Sequence, residues 1–356
     1  MKKKSVFRSD NAQLLVPIIA LLAILIFNLF RDPSFFSIKI GTNNYGYPVL
    51  QGNLISVLNG ASELAVLAMG MTLVTAACGG QDISIGALSA IAGSVFVKVL
   101  RSSSAITGGT VVLAFLAALV VAMLFGSFNG MLVAVFKIQP MIATLILYTC
   151  GRSIAYWFNG GATPTIESPI ITAIGGFIPG CPIPTPVIIV IVCALLFCLL
   201  FKVSTLRLFI QSVGVNKGAA YLNGINPVAI QILSFIILGA CCSVAGTIAV
   251  SRLSLINHET LLLDIEMDAI LAVAIGGNLL GGGKFKMLGS VLGAYAIQLL
   301  TITLYAMKVP STDVKAYKAI VIILIVVLGS SVIKEWFAKV INKFRTRSSS
   351  SVREAE

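Results

Sequence analysis

The chain has 356 residues, of which 58% are hydrophobic and only 11% are charged. Soluble domains carry about 25% charged residues, so this composition excludes a soluble globular protein. The net charge of +12 does not indicate a nucleic-acid partner, because the lysines and arginines lie at the termini and in short loops, as topology signals do. The apolar residues form runs of about the 20 residues that a helix needs to cross a lipid bilayer. We therefore predict an all-α polytopic membrane protein.

Ten apolar runs are candidate transmembrane helices. In chain order they cover residues 14–30, 56–77, 83–100, 110–136, 139–158, 186–202, 227–250, 268–280, 288–307 and 317–333. With the N-terminus inside, the cytoplasmic segments hold 16 of the lysines and arginines and the outer segments hold 8. By the positive-inside rule this bias predicts that both termini are cytoplasmic, although Lys98, Arg101, Lys315 and Lys318 oppose it locally.

We expect one transmembrane domain over residues 1–356, with cytoplasmic ends at 1–13 and 334–356. Residues 159–185 contain many prolines and glycines, and this composition predicts an irregular outer loop. Cys181 lies in this loop, and among the seven cysteines it is the only one expected to meet solvent.

The longest inner loop between spans covers residues 203–227. The sequence in the middle of this loop predicts a short helix over 217–222. Asn216 is suited to cap the start of this helix, and the pair Asn223 and Gly224 is suited to end it.

Residues 79–86, with the sequence Gly-Gly-Gln-Asp-Ile-Ser-Ile-Gly, place a carboxylate and three glycines between two apolar runs. A carboxylate such as that of Asp82 has a high free-energy cost near lipid, and the glycines interrupt a helix. The segment is therefore expected either to have a function or to allow close packing. A second glycine-rich segment, 278–285, is not a phosphate-binding loop. That motif needs Gly at its first position and Ser or Thr after its Lys, where this chain has Asn278 and Phe285.

No catalytic constellation is apparent, and His258 is the only histidine. Zinc sites normally use three or four protein ligands, so we expect no metal. We also predict no cofactor and no enzymatic activity.

The polar residues within the spans allow two interpretations of their role. Glu63, Asn129, Thr144 and Arg152 either line a polar path or make interhelical hydrogen bonds, which contribute about 0.6 kcal/mol each on average. Glu266 and Asp268 stand at the predicted outer end of the span at 268–280. The positive end of the helix dipole lies there and favours acidic residues. A capping role is therefore sufficient to explain Glu266 and Asp268.

Several blocks together resemble a known family. Residues 79–86 resemble the Gly-Gly-Ile-Asp-Leu-Ser-Val-Gly signature of ribose-type permeases of ATP-binding-cassette (ABC) importers, although Gln81 stands where an apolar residue is usual. Further matching blocks lie at residues 68–74, 129–130, 137–145, 214–226, 266–283 and 289–294, in family order. On these motifs the chain is identified as a member of the ribose- and galactofuranose-type sugar ABC importer permeases.

The resemblance implies a ten-helix subunit, similar to the vitamin B12 importer permease, in the bacterial cytoplasmic (inner) membrane. It implies two ATPase subunits or one fused tandem ATPase, a second permease subunit, identical or different, and an extracytoplasmic sugar-binding protein. The implied coupling loop to the ATPase contains Gly214, Asn216, Ala219, Ala220, Gly224, Ile225 and Asn226. The family signature and a possible translocation path involve Gly79, Gly80, Asp82, Ser84, Gly86, Glu63, Asn129 and Thr144.

Other classes of protein fit the sequence less well. An ion-coupled secondary transporter would need an intramembrane carboxylate, for which Glu63 or Asp82 could serve. An intramembrane enzyme or a channel is disfavoured, because the sequence offers neither a nucleophile–base pair nor a ring of charged residues.

Overall fold

The structure is a computed structural model that describes residues 7–42 and 48–329. Its helices are α1 (Phe7–Arg31), α2 (Asn53–Gly60), α3 (Ser62–Cys78), α4 (Ile85–Ser102), α5 (Gly108–Ala134), α6 (Pro140–Phe158), α7 (Pro169–Gly175), α8 (Thr185–Val203), α9 (Leu206–Val215), α10 (Lys217–Leu222), α11 (Pro227–Leu253), α12 (Ile265–Ile275), α13 (Met287–Ala306) and α14 (Ser311–Gly329). Between α1 and α2 lie a 3₁₀ turn and a small antiparallel hairpin of β1 (Lys39–Thr42) and β2 (Pro48–Gln51). The prediction of a mostly helical polytopic protein is confirmed, but the all-α description missed this hairpin.

Six helical segments within the described residues are long and apolar enough to cross a membrane. They are Asn53–Cys78, which joins α2 and α3, Ile85–Ser102, Gly108–Ala134, Thr185–Val203, Pro227–Leu253 and Met287–Ala306. Each overlaps a predicted span. The other four predicted spans overlap α1, α6, α12 and α14, and their crossing of the membrane stays a prediction. Of the predicted cytoplasmic ends at 1–13 and 334–356, residues 1–6 and 334–356 lie outside the described residues.

Helix α3 lies at the centre of the fold, and nearly all of its residues are buried. A helix that is apolar on every side is surrounded by other elements rather than by water. Its neighbours include α8, α9, α11, α12 and α13.

Helices α5 and α11 pack closely against each other, and glycines allow their backbones to approach. A Cβ on Gly126 would lie 2.5 Å from the Phe235 carbonyl oxygen, and a Cβ on Gly239 would lie 2.4 Å from the Ala122 carbonyl oxygen. Small residues at such crossings are the usual means of helix packing in membranes, where no hydrophobic force drives helices together. The arrangement positions α5 beside the segment that precedes α4.

Three local predictions were wrong. The loop at 159–185 contains α7, because Pro169 suits the first turn of a helix. The loop at 203–227 contains α9 in addition to the predicted short helix. The span predicted at 268–280 ends at Ile275, because Gly277 with φ +80° turns the chain out of the helix.

Candidate functional site

Helices α9 and α10 form the segment that sequence reasoning singled out. The side chain of Asn216 accepts a hydrogen bond from the Ala219 amide at 3.0 Å, which confirms the predicted cap of α10. Helix α10 ends at Asn223, and Gly224 takes a positive φ of +79° beyond it. Asn226 then caps α11, because its side chain accepts from the amides of the first turn of that helix. These short-range bonds define the shape of the segment.

A groove of about 410 Å³ lies between α9 and α10. Its lining consists of Gln211, Ser212, Val215, Asn216, Ala219, Ala220, Asn223 and Ile225. Ala220 is buried at its base, whereas Val215, Tyr221 and Leu222 are exposed by 75%, 70% and 86%. Exposed apolar side chains that cluster beside a groove are typical of a protein contact surface.

The C-terminal end of α9 joins the end of α3 through a cluster of glycines, Gly79, Gly214, Gly281, Gly282 and Gly283, which we call the glycine junction. The Gly283 amide donates to the Ala76 carbonyl oxygen at 3.0 Å. A Cβ on Gly214 would lie 1.8 Å from that same oxygen, so the position admits no side chain. The junction therefore holds α9, α3 and the turn between α12 and α13 in direct backbone contact.

The segment between α3 and α4 is held by buried polar bonds around Asp82, which is 1% exposed. One carboxylate oxygen of Asp82 accepts from the Ser84 amide at 2.7 Å and from the Ser84 hydroxyl at 2.6 Å. Asn129 of α5 donates to the Ser84 hydroxyl oxygen at 3.0 Å and lies 3.5 Å from the other Asp82 oxygen. The structure therefore brings together three of the residues predicted for the path, and it gives each a bonding role.

Two further predicted positions tie this segment to α6. The Thr144 hydroxyl oxygen accepts from the Ile83 amide at 3.1 Å. A Cβ on Gly80 would lie 2.7 Å from the Pro140 ring, so Gly80 permits the close approach of α6. Gln81, the departure from the family pattern, donates its side-chain amide to the Leu280 carbonyl oxygen at 3.0 Å. That bond connects the segment to the turn between α12 and α13, which contributes Gly281, Gly282 and Gly283 to the glycine junction.

Glu63 does not join this cluster. It lies in the first turn of α3, roughly 22 Å along the helix from Cys78 at the other end. Its carboxylate forms an ion pair with Arg252 of α11 at 3.1 Å, and Arg252 also donates to the carbonyl oxygen of Asn59 at 2.8 Å. The structure thus gives Glu63 an interhelical bond, and its place on a polar path stays a prediction.

The acidic residues at the start of α12 also make contacts that the sequence did not predict. Asp268 forms an ion pair with Lys318 at 2.7 Å, and Asp264 forms one with Lys315, so these two aspartates pair with lysines of α14. Glu266 is buried in the first turn of α12, where the capping interpretation placed it, and it also lies beside Arg152 and Gly86. The distance in sequence between positions 152 and 266 left no signal of this contact.

Comparison with known proteins places the chain in a family. Residues 53–329 match the sequence model of the family described as the branched-chain amino acid transport system, permease component. The chain is 36% identical over 317 residues to the galactofuranose transporter permease of Escherichia coli strain K12, with 88% of each chain covered. It is 33% identical to the fructose import permease of Bifidobacterium longum (86% of this chain, 85% of the relative) and 33% identical to the ribose import permease of E. coli K12 (88% and 92%). No solved structure matches the chain significantly.

The chain therefore belongs to this family of transport-system permease components. It is a multi-pass membrane protein.

Proposed function

We propose that the chain is the membrane-spanning permease subunit of an ABC importer for a sugar. The relatives named above are permeases for galactofuranose, fructose and ribose, and each similarity extends over most of both chains. The observation that carries the proposal is the α9–α10 groove with its exposed apolar rim, joined through glycines to the buried helix α3. A partner that binds this groove can move the centre of the bundle.

The subunit itself hydrolyses nothing in this proposal. The ATPase partner, as two subunits or one fused tandem protein, binds α9 and α10 from the cytoplasm. An external binding protein delivers the sugar at the opposite end, and a second permease subunit completes the channel. When the ATPases close, α9 moves, and the backbone bond between Gly283 and Ala76 transmits the displacement to α3 and to the turn before α13.

The proposal includes ten membrane crossings, a single domain similar to the vitamin B12 importer permease, and both termini in the cytoplasm. This orientation puts α9, α10 and the glycine junction on the cytoplasmic side, where an ATPase can reach them. Lys315 and Lys318 oppose the charge bias that supports this orientation. Both form ion pairs with aspartates, so their positive charges are partly neutralised.

Ion-coupled secondary transport is the competing function. It needs a carboxylate that exchanges a proton or a cation, and the two candidates already have partners. Glu63 is paired with Arg252, and Asp82 accepts two hydrogen bonds from Ser84. These contacts support the ABC proposal over the alternative.

Reconstitution into liposomes tests the proposal. We expect uptake of radiolabelled sugar only when the partner ATPase, ATP and the binding protein are all present. Uptake by the permease alone that follows an imposed proton or sodium gradient would contradict the proposal and favour the alternative.

A further inference from the structure

Asn278 closes the turn between α12 and α13. Its side-chain oxygen accepts a hydrogen bond from the Lys286 amide at 2.6 Å, and its side-chain nitrogen donates to the Lys286 carbonyl oxygen at 3.1 Å. An asparagine side chain has one acceptor and one donor group, so it can hold the backbone of a single residue at both of its polar atoms. Residues 279–285 are therefore enclosed between two ends of the turn that are bonded to each other.

The enclosed residues contact the segment that contains α3. The Gly283 amide donates to the Ala76 carbonyl oxygen at 3.0 Å, and the Leu280 carbonyl oxygen accepts from the side chain of Gln81 at 3.0 Å. Both contacts come from within the closed turn. The bonds of Asn278 therefore control whether these residues can move independently of α12 and α13.

The two helices beside the turn pack backbone against backbone. A Cβ on Gly289 would overlap the Gly276 carbonyl oxygen, and a Cβ on Gly293 would overlap the Ala272 carbonyl oxygen. Small residues permit such close contact between helices in membranes. Helices α12 and α13 are thus a tightly packed pair, and the turn between them is joined to both.

A chain of buried hydrogen bonds continues from Asn278 to α3. The Asn278 side-chain nitrogen donates to the Ser290 hydroxyl oxygen at 2.8 Å, and the hydroxyl groups of Ser290 and Thr72 share a hydrogen bond at 2.7 Å. Thr72 and Ser290 are fully buried, and Asn278 is 6% exposed. Thr72 lies about 9 Å along α3 from Cys78, deeper in the bundle than Ala76. A buried polar network whose members are bonded to one another makes the elements that it joins more rigid.

We propose that Asn278 is the positioning residue that makes the turn, α13 and α3 move as one body when an ATPase displaces α9. The inference rests on the proposed function and adds the residue through which the coupling passes. Packed elements joined by hydrogen-bond networks carry coupling between distant sites. Without the Asn278 bonds, residues 279–285 shift while α3 and α13 stay in place, so ATP is hydrolysed without movement of the sugar.

The test uses the reconstituted importer with its ATPase and binding protein, and it compares Asn278→Ala with the unsubstituted protein. The probes are radiolabelled ribose, fructose and galactose, and the sugar that is taken up is used throughout. The measured quantity is the number of sugar molecules taken up per ATP hydrolysed. It should fall by about fivefold, because the loss of one net hydrogen bond changes an equilibrium by about that factor. The rate of ATP hydrolysis without binding protein should be unchanged.

Asn28→Ala is the matched control. Asn28 is also a buried asparagine, 1% exposed, and it joins α1 to α13 by donating to the Thr303 hydroxyl oxygen at 2.7 Å. Its replacement should lower the thermal stability much as Asn278→Ala does and should leave the uptake per ATP unchanged. The comparison separates the position of the turn from the general stability of the fold.

Two substitutions of Thr72 test the other end of the chain of bonds. Thr72→Val keeps the volume of the side chain but removes its hydroxyl group, whereas Thr72→Ser keeps the hydroxyl group and leaves a small void. If the hydrogen bond transmits the movement, Thr72→Val should lower the uptake per ATP and Thr72→Ser should preserve it. The opposite order would show that packing alone is required.

Equal uptake per ATP in Asn278→Ala and in the unsubstituted protein would overturn the inference, as would an equal fall in Asn28→Ala. If Asn278→Ala does not fold, the two Thr72 variants decide by the order given above. Uptake by the unsubstituted protein without the ATPase would instead contradict the proposed function itself.

Discussion

Asp82 bonds to its neighbours through hydrogen bonds rather than through an opposite charge. Both bonds from Ser84 reach one carboxylate oxygen, and Asn129 approaches the other. The side-chain oxygen of Asn129 has no partner among the described residues. An amide at position 82 could therefore keep the bonds from Ser84, while Asn129 turns its free oxygen toward the new donor.

We predict that Asp82→Ala lowers the free energy of unfolding by about 1–3 kcal/mol, because it leaves buried donors of Ser84 unpaired. Asp82→Asn should cost clearly less. Thermal unfolding of the two purified variants in detergent measures the difference. Equal losses in both variants would mean that the negative charge itself is required.

Glu63 and Arg252 should act as a structural pair. Glu63 is almost fully buried, and its loss leaves Arg252 with the oxygens of Asn59. We expect Glu63→Ala to destabilise the protein by about 1–3 kcal/mol, below the value for a fully buried pair because the Arg252 side chain is 31% exposed. A double-mutant cycle with Arg252→Gln measures the coupling. Additive effects would show that the pair contributes nothing to stability.

At the scale of the element, the glycine junction lets α9 touch α3 without any side chain between them. A Cβ on Gly214 would overlap the Ala76 carbonyl oxygen and lie 2.6 Å from the Gly283 nitrogen, atoms that form the bond linking the two segments. Gly218 in α10 is different, because its Cβ would meet nothing closer than the Asn216 side chain at 3.4 Å. The two glycines form a matched pair for substitution.

Gly214→Ala should lower the free energy of unfolding by about 1–3 kcal/mol through overpacking and should weaken stimulation of ATP hydrolysis by the binding protein. Gly218→Ala should be neutral or stabilise α10 by up to about 1 kcal/mol, since alanine is the better helix former. ATPase assays on reconstituted complexes, with thermal unfolding in parallel, measure both. Full stimulation with Gly214→Ala would refute the role of the junction.

The predictable elements are those with local signals. The bounds of α10 follow from Asn216 and from Asn223 with Gly224, which are short-range capping and turn chemistry. Helix α9 was missed because its ten residues are too few to span a membrane and its N-cap residue, Thr205, makes no side-chain cap hydrogen bond. Its packing against α3 supplies what the local sequence lacks.

The contacts of the candidate site depend on long-range packing, so the sequence predicted the residues but not their partners. Asp82 and Asn129 were both recognised as polar residues at membrane depth, yet 47 positions separate them and no pattern connects them. Arg152 and Glu266 are farther apart still. Only the crossing of α4, α6 and α12 brings this second pair together.

At the scale of the whole molecule, the account depends on which side of the membrane α10 faces. Charge bias predicts the cytoplasm, and the ATPase can reach the groove only from there. The segment that contains Cys181 is predicted to face the opposite side.

Thiol labelling tests this arrangement most directly. Leu222 is 86% exposed, so Leu222→Cys presents a reactive thiol on α10, and Cys181 serves as the outer reference when the other native cysteines are replaced. A reagent that cannot cross the membrane should label position 222 only in inside-out vesicles and Cys181 only in right-side-out vesicles. Labelling of position 222 from outside would contradict the proposal that α9 and α10 couple the permease to an ATPase.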